Sequence, residues 1–171
     1  LVVGPAAPGL LADGTCEGGV IVRAAGPGRV DLSQDTRYGL PWIDNASRWT
    51  IGVAAGVPLD LKVDAGASRT QLDLGEVRLR SLDLHTGASE TRVRLPRAAG
   101  MTTVAVNAGA ASVSIEVPDG VAARIRTRMA LGSAQIDQAR FPATAGGYES
   151  PDFGNAANRV EIDVQGGIGS F

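Results

Sequence analysis

The sequence predicts an all-β fold: a short single-stranded β-helix, or β-solenoid, of about five coils with a repeat of roughly 21–23 residues. Three observations predict it. A small-residue corner recurs at near-constant spacing. Apolar and polar residues alternate on both sides of each corner. Glycine and proline punctuate a chain that is poor in aromatics. Hydrophobic residues make up 44% but aromatics only 4%, so aliphatic side chains must fill the interior.

The corner reads Asp64-Ala65-Gly66-Ala67-Ser68, then Thr86-Gly87-Ala88-Ser89, then Asn107-Ala108-Gly109-Ala110-Ala111, then Ala130-Leu131-Gly132-Ser133. Gly66, Gly87, Gly109 and Gly132 are the candidate structural corners, spaced by 21, 22 and 23 residues. Before them stand Leu61 and Val63, Leu82 and Leu84, Val104 and Val106, Thr127 and Met129. After them stand Thr70 and Leu72, Thr91 and Val93, Val113 and Ile115, Ile136 and Gln138. The residues between are mostly polar, including Lys62, Asp83, Arg92, Arg94 and Glu116. Alternation of period two marks a strand with one buried face. Each repeat is therefore a strand, a glycine corner and a second strand.

A second corner closes each turn, around Gly56, around Pro96 to Gly100, and around Pro118 to Gly120. Proline removes a ladder donor and glycine permits positive φ, so both end strands. The last strand, from Arg159 to Val164, runs into Gly166-Gly167 and keeps the same apolar offsets from Gly167. It supplies a final coil after an insertion at roughly 139–158. Like corners at like spacing are expected when each coil completes its core against its neighbours. A β-sandwich is the alternative, because glycine-bearing turns at short spacing suit it too.

Stacking carries a consequence for the outer face. Asp73, Arg94 and Glu116 share one offset from their corners, so they form an acid–base–acid surface charge ladder, and Lys62 lies beside Asp83. The solenoid domain occupies residues 48–171. Residues 1–47 form an N-terminal segment. Within it Val20-Ile21-Val22 and Val30-Asp31-Leu32 read as extra strands around Gly26-Pro27-Gly28, and residues 37–47 read as a loop. The first 15 or so residues are expected to be loosely held.

Charge and composition exclude several functions. The net charge is −2 with both signs interspersed, so no basic stripe exists to bind nucleic acid. No run of about 18 apolar residues is present, so no helix spans a bilayer and the chain itself reads as soluble. Cys16 is the only cysteine and His85 the only histidine, too few to converge on a metal. His85 falls at an outward position, near Asp64 and Asn107. Gly166 to Ser170 has no following helix and cannot cradle phosphate as a P-loop does. An arginine between Asp73 and Glu116 makes a ladder, not the open carboxyl pair that glycoside hydrolysis needs. The reading is of a chain with no catalytic residue, no cofactor and no metal site.

The insertion is the most distinctive stretch. Phe141, Tyr148, Asp152 and Phe153 lie in it, and it serves either as a cap over an open end of the solenoid or as a partner-binding loop.

Taken in order, Trp49 to Val53, Gly56 to Leu61, the Gly-Ala-Ser corners, Tyr148, Ser150-Pro151-Asp152-Phe153, and Asn155 to Val164 with Gly166-Gly167-Ile168-Gly169 form a series. Over residues 48–171 this series resembles the C-terminal domain of the LiaF-like cell wall-active antibiotics response family, also called a toastrack domain. The resemblance implies a single-stranded β-helix and a role in bacterial cell-envelope stress. It also implies a membrane-associated parent protein that restrains a sensor histidine kinase through protein–protein contact. No catalytic residue is implied. Three functions follow from the two readings: a regulatory interaction domain, a carbohydrate-binding or carbohydrate-cleaving β-helix, and a structural solenoid that self-assembles as a homo-oligomer.

Overall fold

The structure is a computed structural model, and it describes residues 1–5, 12–17, 20–26, 29–34 and 48–170. These residues hold fourteen strands and no helix. In chain order they are β1 (Val2–Pro5), β2 (Ala12–Glu17), β3 (Val20–Gly26), β4 (Arg29–Gln34), β5 (Arg48–Val53), β6 (Leu59–Ala65) and β7 (Ser68–Asp73). There follow β8 (Leu79–Thr86), β9 (Ser89–Arg94), β10 (Met101–Glu116), β11 (Ala122–Ser133), β12 (Ala143–Thr144), β13 (Gly147–Glu149) and β14 (Arg159–Ser170).

The architecture is a β-solenoid whose coils stack in parallel. Its sheet is not closed. In the first wall, Leu61 pairs with Leu82, Leu82 with Val104, Val104 with Ile162, and Ile162 with Ile125. In the second wall, Thr70 pairs with Thr91 and Thr91 with Val113, while Leu72 pairs with Val93 and Val93 with Ile115. These columns point inward, and Leu72, Leu82, Leu84, Val93, Val104, Val106, Ile162 and Val164 are buried in one continuous core. The buried Thr70 and Thr91 place their hydroxyls within hydrogen-bonding distance of Ser68 and Ser89, at 3.1 and 3.3 Å. Polar side chains are thereby satisfied inside the wall.

At three of the corner glycines the neighbouring coil approaches closely. A Cβ on Gly87 would lie 3.4 Å from the Gly66 carbonyl oxygen, one on Gly109 3.3 Å from that of Gly87, and one on Gly167 3.1 Å from that of Gly109. The second corners take positive φ at Gly100 (74°) and Gly120 (79°), as do Gly132 (135°) and Gly147 (132°) elsewhere.

Two expectations are corrected. The fourth corner does not fall at Gly132. Ala123 and Ile125 point inward between Arg124 and Arg126, and this alternation places Met129 opposite Gly166 and Leu131 opposite Ile168. Ala130 therefore faces Gly167, and Gly132 lies two residues further on, opposite Gly169. Also, where the first 15 residues are described, at 2–5 and 12–15, they are paired strands. β1 runs parallel between β5 and β7, with the buried Val3 opposite both Ile51 and Leu72. β2 then pairs antiparallel with β5.

The last strand is not the last rung. β14 lies between β10 and β11, pairing in parallel with both. Asn158 sets it there. Its Oδ1 accepts from the Gly100 N–H at 3.1 Å, its carbonyl accepts from the Ala122 N–H at 3.1 Å, and the Arg159 N–H donates to the Gly100 carbonyl at 2.9 Å. The end rung is β11, and β13 covers part of it in antiparallel pairing. β3 and β4 form an antiparallel hairpin of their own. The expected turn at Pro27-Gly28 and the expected loop at 37–47 lie outside the described residues.

Candidate functional site

The outer faces carry ion pairs that run from rung to rung. Arg94 stands between Asp73 and Glu116 on adjacent strands, with NH1 3.9 Å from Asp73 Oδ2 and Nε 3.5 Å from Glu116 Oε1. Lys62 is opposite Asp83, yet its ammonium lies 3.7 Å from Asp64 on its own strand. His85 sits between Asp64 and Asn107 in register, and its Nε2 is 3.0 Å from Asp83 Oδ1. Glu90 accepts from Arg69 at 3.0 Å and lies beside Arg92 at 2.5 Å, and this donor and the second charge hold its carboxyl below the usual range. Asp60 is likewise held low, by hydrogen bonds from Ser81 and Arg80. Among the described residues no cluster of three or more His, Cys, Asp and Glu side chains could hold a metal ion.

The insertion folds back over the end rung. Phe141 and Phe153 are buried, Tyr148 is half-buried against the core, and Asp152 is exposed. The two phenylalanines thus point into the protein, and Asp152 alone of the four projects freely. Ser150 locks the segment to β11: its N–H donates to the Ala123 carbonyl and its Oγ accepts from the Ala123 N–H, both at 2.8 Å. Arg124 is the hub. Its Nε donates to Glu149 and its NH1 to Glu161, both at 2.7 Å, and its guanidinium lies 4.2 Å from the centroid of the Phe153 ring. The hydrogen bond from Arg124 lowers the Glu149 pKa, and the same bond raises that of Arg124.

Beside this cap a cleft of about 540 Å³ opens in the second wall. Val113, Ile115, Ile162, Val164, Ile136 and Phe141 line it. The described ladder of β14 on β10 runs to Ser170, opposite Ser112. Arg140 closes one end of the cleft, donating to the Val117 and Pro118 carbonyls at 2.9 and 3.0 Å. Neither the Arg124 hub nor the cleft stands out in the sequence. Both depend on β14 lying inside the stack, and the signal that could have shown this was the acids Glu161 and Asp163 set to pair with Arg124 and Arg128.

An open, parallel β-solenoid with a capped end and charge-paired faces is the class that this fold defines. The chain belongs to the toast-rack family: the family described as the N-terminal domain of toast_rack, DUF2154, matches residues 21–116, more than half of the sequence. The crystal structure of a "putative cell adhesion protein" from Clostridium sporogenes has the same fold, with a TM-score of 0.83 at 17% identity over 99% of this chain and 84% of that one. At that identity the likeness speaks for the fold alone. No curated protein matches the chain in sequence. No helix among the described residues is long and apolar enough to cross a membrane.

Proposed function

We propose that this domain is a non-catalytic regulatory module of a bacterial cell-envelope stress-response protein, acting by protein–protein contact on a membrane sensor kinase. Membership of the toast-rack family carries the reading. Ion pairs between rungs support it, those of Arg94 with Asp73 and Glu116 and of Arg124 with Glu161. In this reading the parent protein is membrane-associated and the solenoid is its contact surface. Cross-linked capture from bacterial membranes, with this domain as bait, tests it. Recovery of a sensor kinase supports the reading, and recovery of the bait alone overturns it.

One observation favours a second reading, a self-assembling solenoid. Among the described residues β6 pairs with β8 alone, so its outer edge is available to another chain. Sedimentation at increasing concentration decides it: growth of the sedimentation coefficient supports assembly, and a constant monomer value rejects it.

A further inference from the structure

The outer edge of β11 has the geometry to take a strand. The Ala122 N–H donates to the Asn158 carbonyl at 3.1 Å, so Ala122 turns toward β14. Successive residues of a strand turn their backbone groups to opposite sides. Ala123, Ile125, Thr127 and Met129 therefore turn away from β14. The bonds between Ala123 and Ser150 follow this pattern, and so does the pairing of Ile125 with Tyr148. β13 thus shows that the edge accepts an antiparallel strand, and its described pairing covers only Arg124 and Ile125. Beyond the corner, Gly132 shares a column with Gly169 and Ala111. Glu116 turns toward β9, since its carbonyl accepts from the Leu95 N–H, so Ala111, an odd number of steps back, turns toward β14. Gly132, in the same column, turns outward like Met129. Leu131 beside it is 66% exposed, the most exposed large apolar side chain among the described residues.

We infer that this edge is a self-association site. A second copy of the chain lays its own residues 127–133 along it, antiparallel, about a two-fold axis between Ala130 and Leu131. The occupant is read from the segment's complementarity to itself. In this register Met129 meets the second copy's Gly132, and both turn outward, so their donors and acceptors face one another. A slip of one residue would set Met129 against Leu131, whose backbone turns toward β14. Arg128 meets the second copy's Ser133, so no like charges are opposed. Leu131 packs on the second copy's Ala130, and the two exposed leucines meet across the axis. The paired stretch continues the antiparallel ladder that β13 begins, and it stays clear of Arg124 and Ile125, where β13 sits. A two-fold pair of edges closes on itself, so association ends at two copies. The inference goes beyond both readings above, since it needs neither a kinase nor the edge of β6.

Sedimentation equilibrium of the whole chain, from about 1 μM to about 1 mM, tests it. A monomer–dimer equilibrium is expected. Leu131→Arg sets two guanidinium groups together at the axis and should weaken the dimer about tenfold or more. Ser133 decides the register. Ser133→Arg opposes the second copy's Arg128 and should weaken the dimer about tenfold, whereas Ser133→Glu pairs with it and should tighten the dimer about threefold. Leu131 and Ser133 are both exposed, so the variants should keep the parent's urea midpoint, measured where the parent is monomeric. A monomer throughout the range overturns the inference. So does a dimer that Leu131→Arg leaves at full strength, or one that Ser133→Arg and Ser133→Glu shift alike. Species larger than two that persist in Leu131→Arg belong to another edge: they overturn the β11 pair and leave growth through β6 standing.

Discussion

Gly167 packs against Gly109, a residue from a distant part of the chain, so closely that a Cβ on Gly167 would lie 3.1 Å from the Gly109 carbonyl oxygen. The contact belongs to the ladder of the C-terminal strand on β10, and the same strand pairs with β11 on its other side. Substitution at the corner should therefore depend on which coil lies beneath. Gly167→Ala crowds a backbone that cannot swing away and should cost about 1–3 kcal/mol. Gly66→Ala meets nothing within 4 Å and should stay within about 0.5 kcal/mol of the parent. Urea midpoints at unchanged slope measure both, and equal effects would contradict the stack.

Asn158 holds the start of β14 between its neighbours. Asn158→Ala leaves the Gly100 N–H without its acceptor and should cost about 1–2 kcal/mol, while Asn158→Asp keeps an acceptor oxygen and should recover most of that. Hydrogen exchange at the Gly100 amide reports the bond directly. Exchange as slow in the alanine variant as in the parent would refute the role.

The cap is built from buried rings. Phe153→Ala should cost about 3–5 kcal/mol, whereas the exposed Asp152→Ala should change stability by less than about 0.5 kcal/mol. Gly147 has a φ of 132° and its Cβ position runs into the Ile125 carbonyl oxygen, so Gly147→Ala should free the β12–β13 hairpin. Faster proteolysis between residues 142 and 150 is the expected sign; an unchanged rate would show that the hairpin does not depend on this glycine.

Acid should weaken the fold through three carboxylates. Asp60 is held low by Ser81 and Arg80, Glu90 by Arg69 and Arg92, and Glu149 by Arg124. Each binds a proton less readily in the folded state than in the unfolded one. Their stabilisation is complete above the unfolded carboxylate pKa, about 4, and is lost as pH falls through the lower folded values. The urea midpoint should be flat through neutral pH and fall below about pH 4–5. Arg124→Gln removes the Glu149 share, so its acid limb should be shallower, and a limb as steep as the parent's would count against the hub.

The fold was legible where local chemistry repeats. Leu82, Leu84, Val93 and Val104 show their inward face by alternation alone, and Gly66, Gly87 and Gly109 mark their coils by spacing. Rung order was not legible, because parallel stacking accepts any coil with matching columns and the chain order does not say which coil neighbours which. Val160, Ile162 and Val164 match the columns of β10 and β11 equally well, and only Asn158 and the acids of β14 decide between an end position and an inner one. Gly132 misled for a related reason. Among the described residues no coil stacks beyond the corner of β11, so Ala130 is tolerated at the crowded position and a glycine two residues later looks like the repeat. Of the cap, Phe141 and Phe153 were visible as a cluster of aromatics, but the partners on distant β11, Arg124 over the Phe153 ring and Ala123 bonded to Ser150, were not.

The regulatory role is tested most directly by kinase output. A sensor kinase recovered with this domain, reconstituted in lipid nanodiscs, should autophosphorylate more slowly when the purified domain is added at saturating concentration, and Asp152→Ala, which leaves the cap intact, serves as the folded control. A rate that does not change at saturation would contradict the account, because a module that acts by contact must alter the activity of the protein it binds.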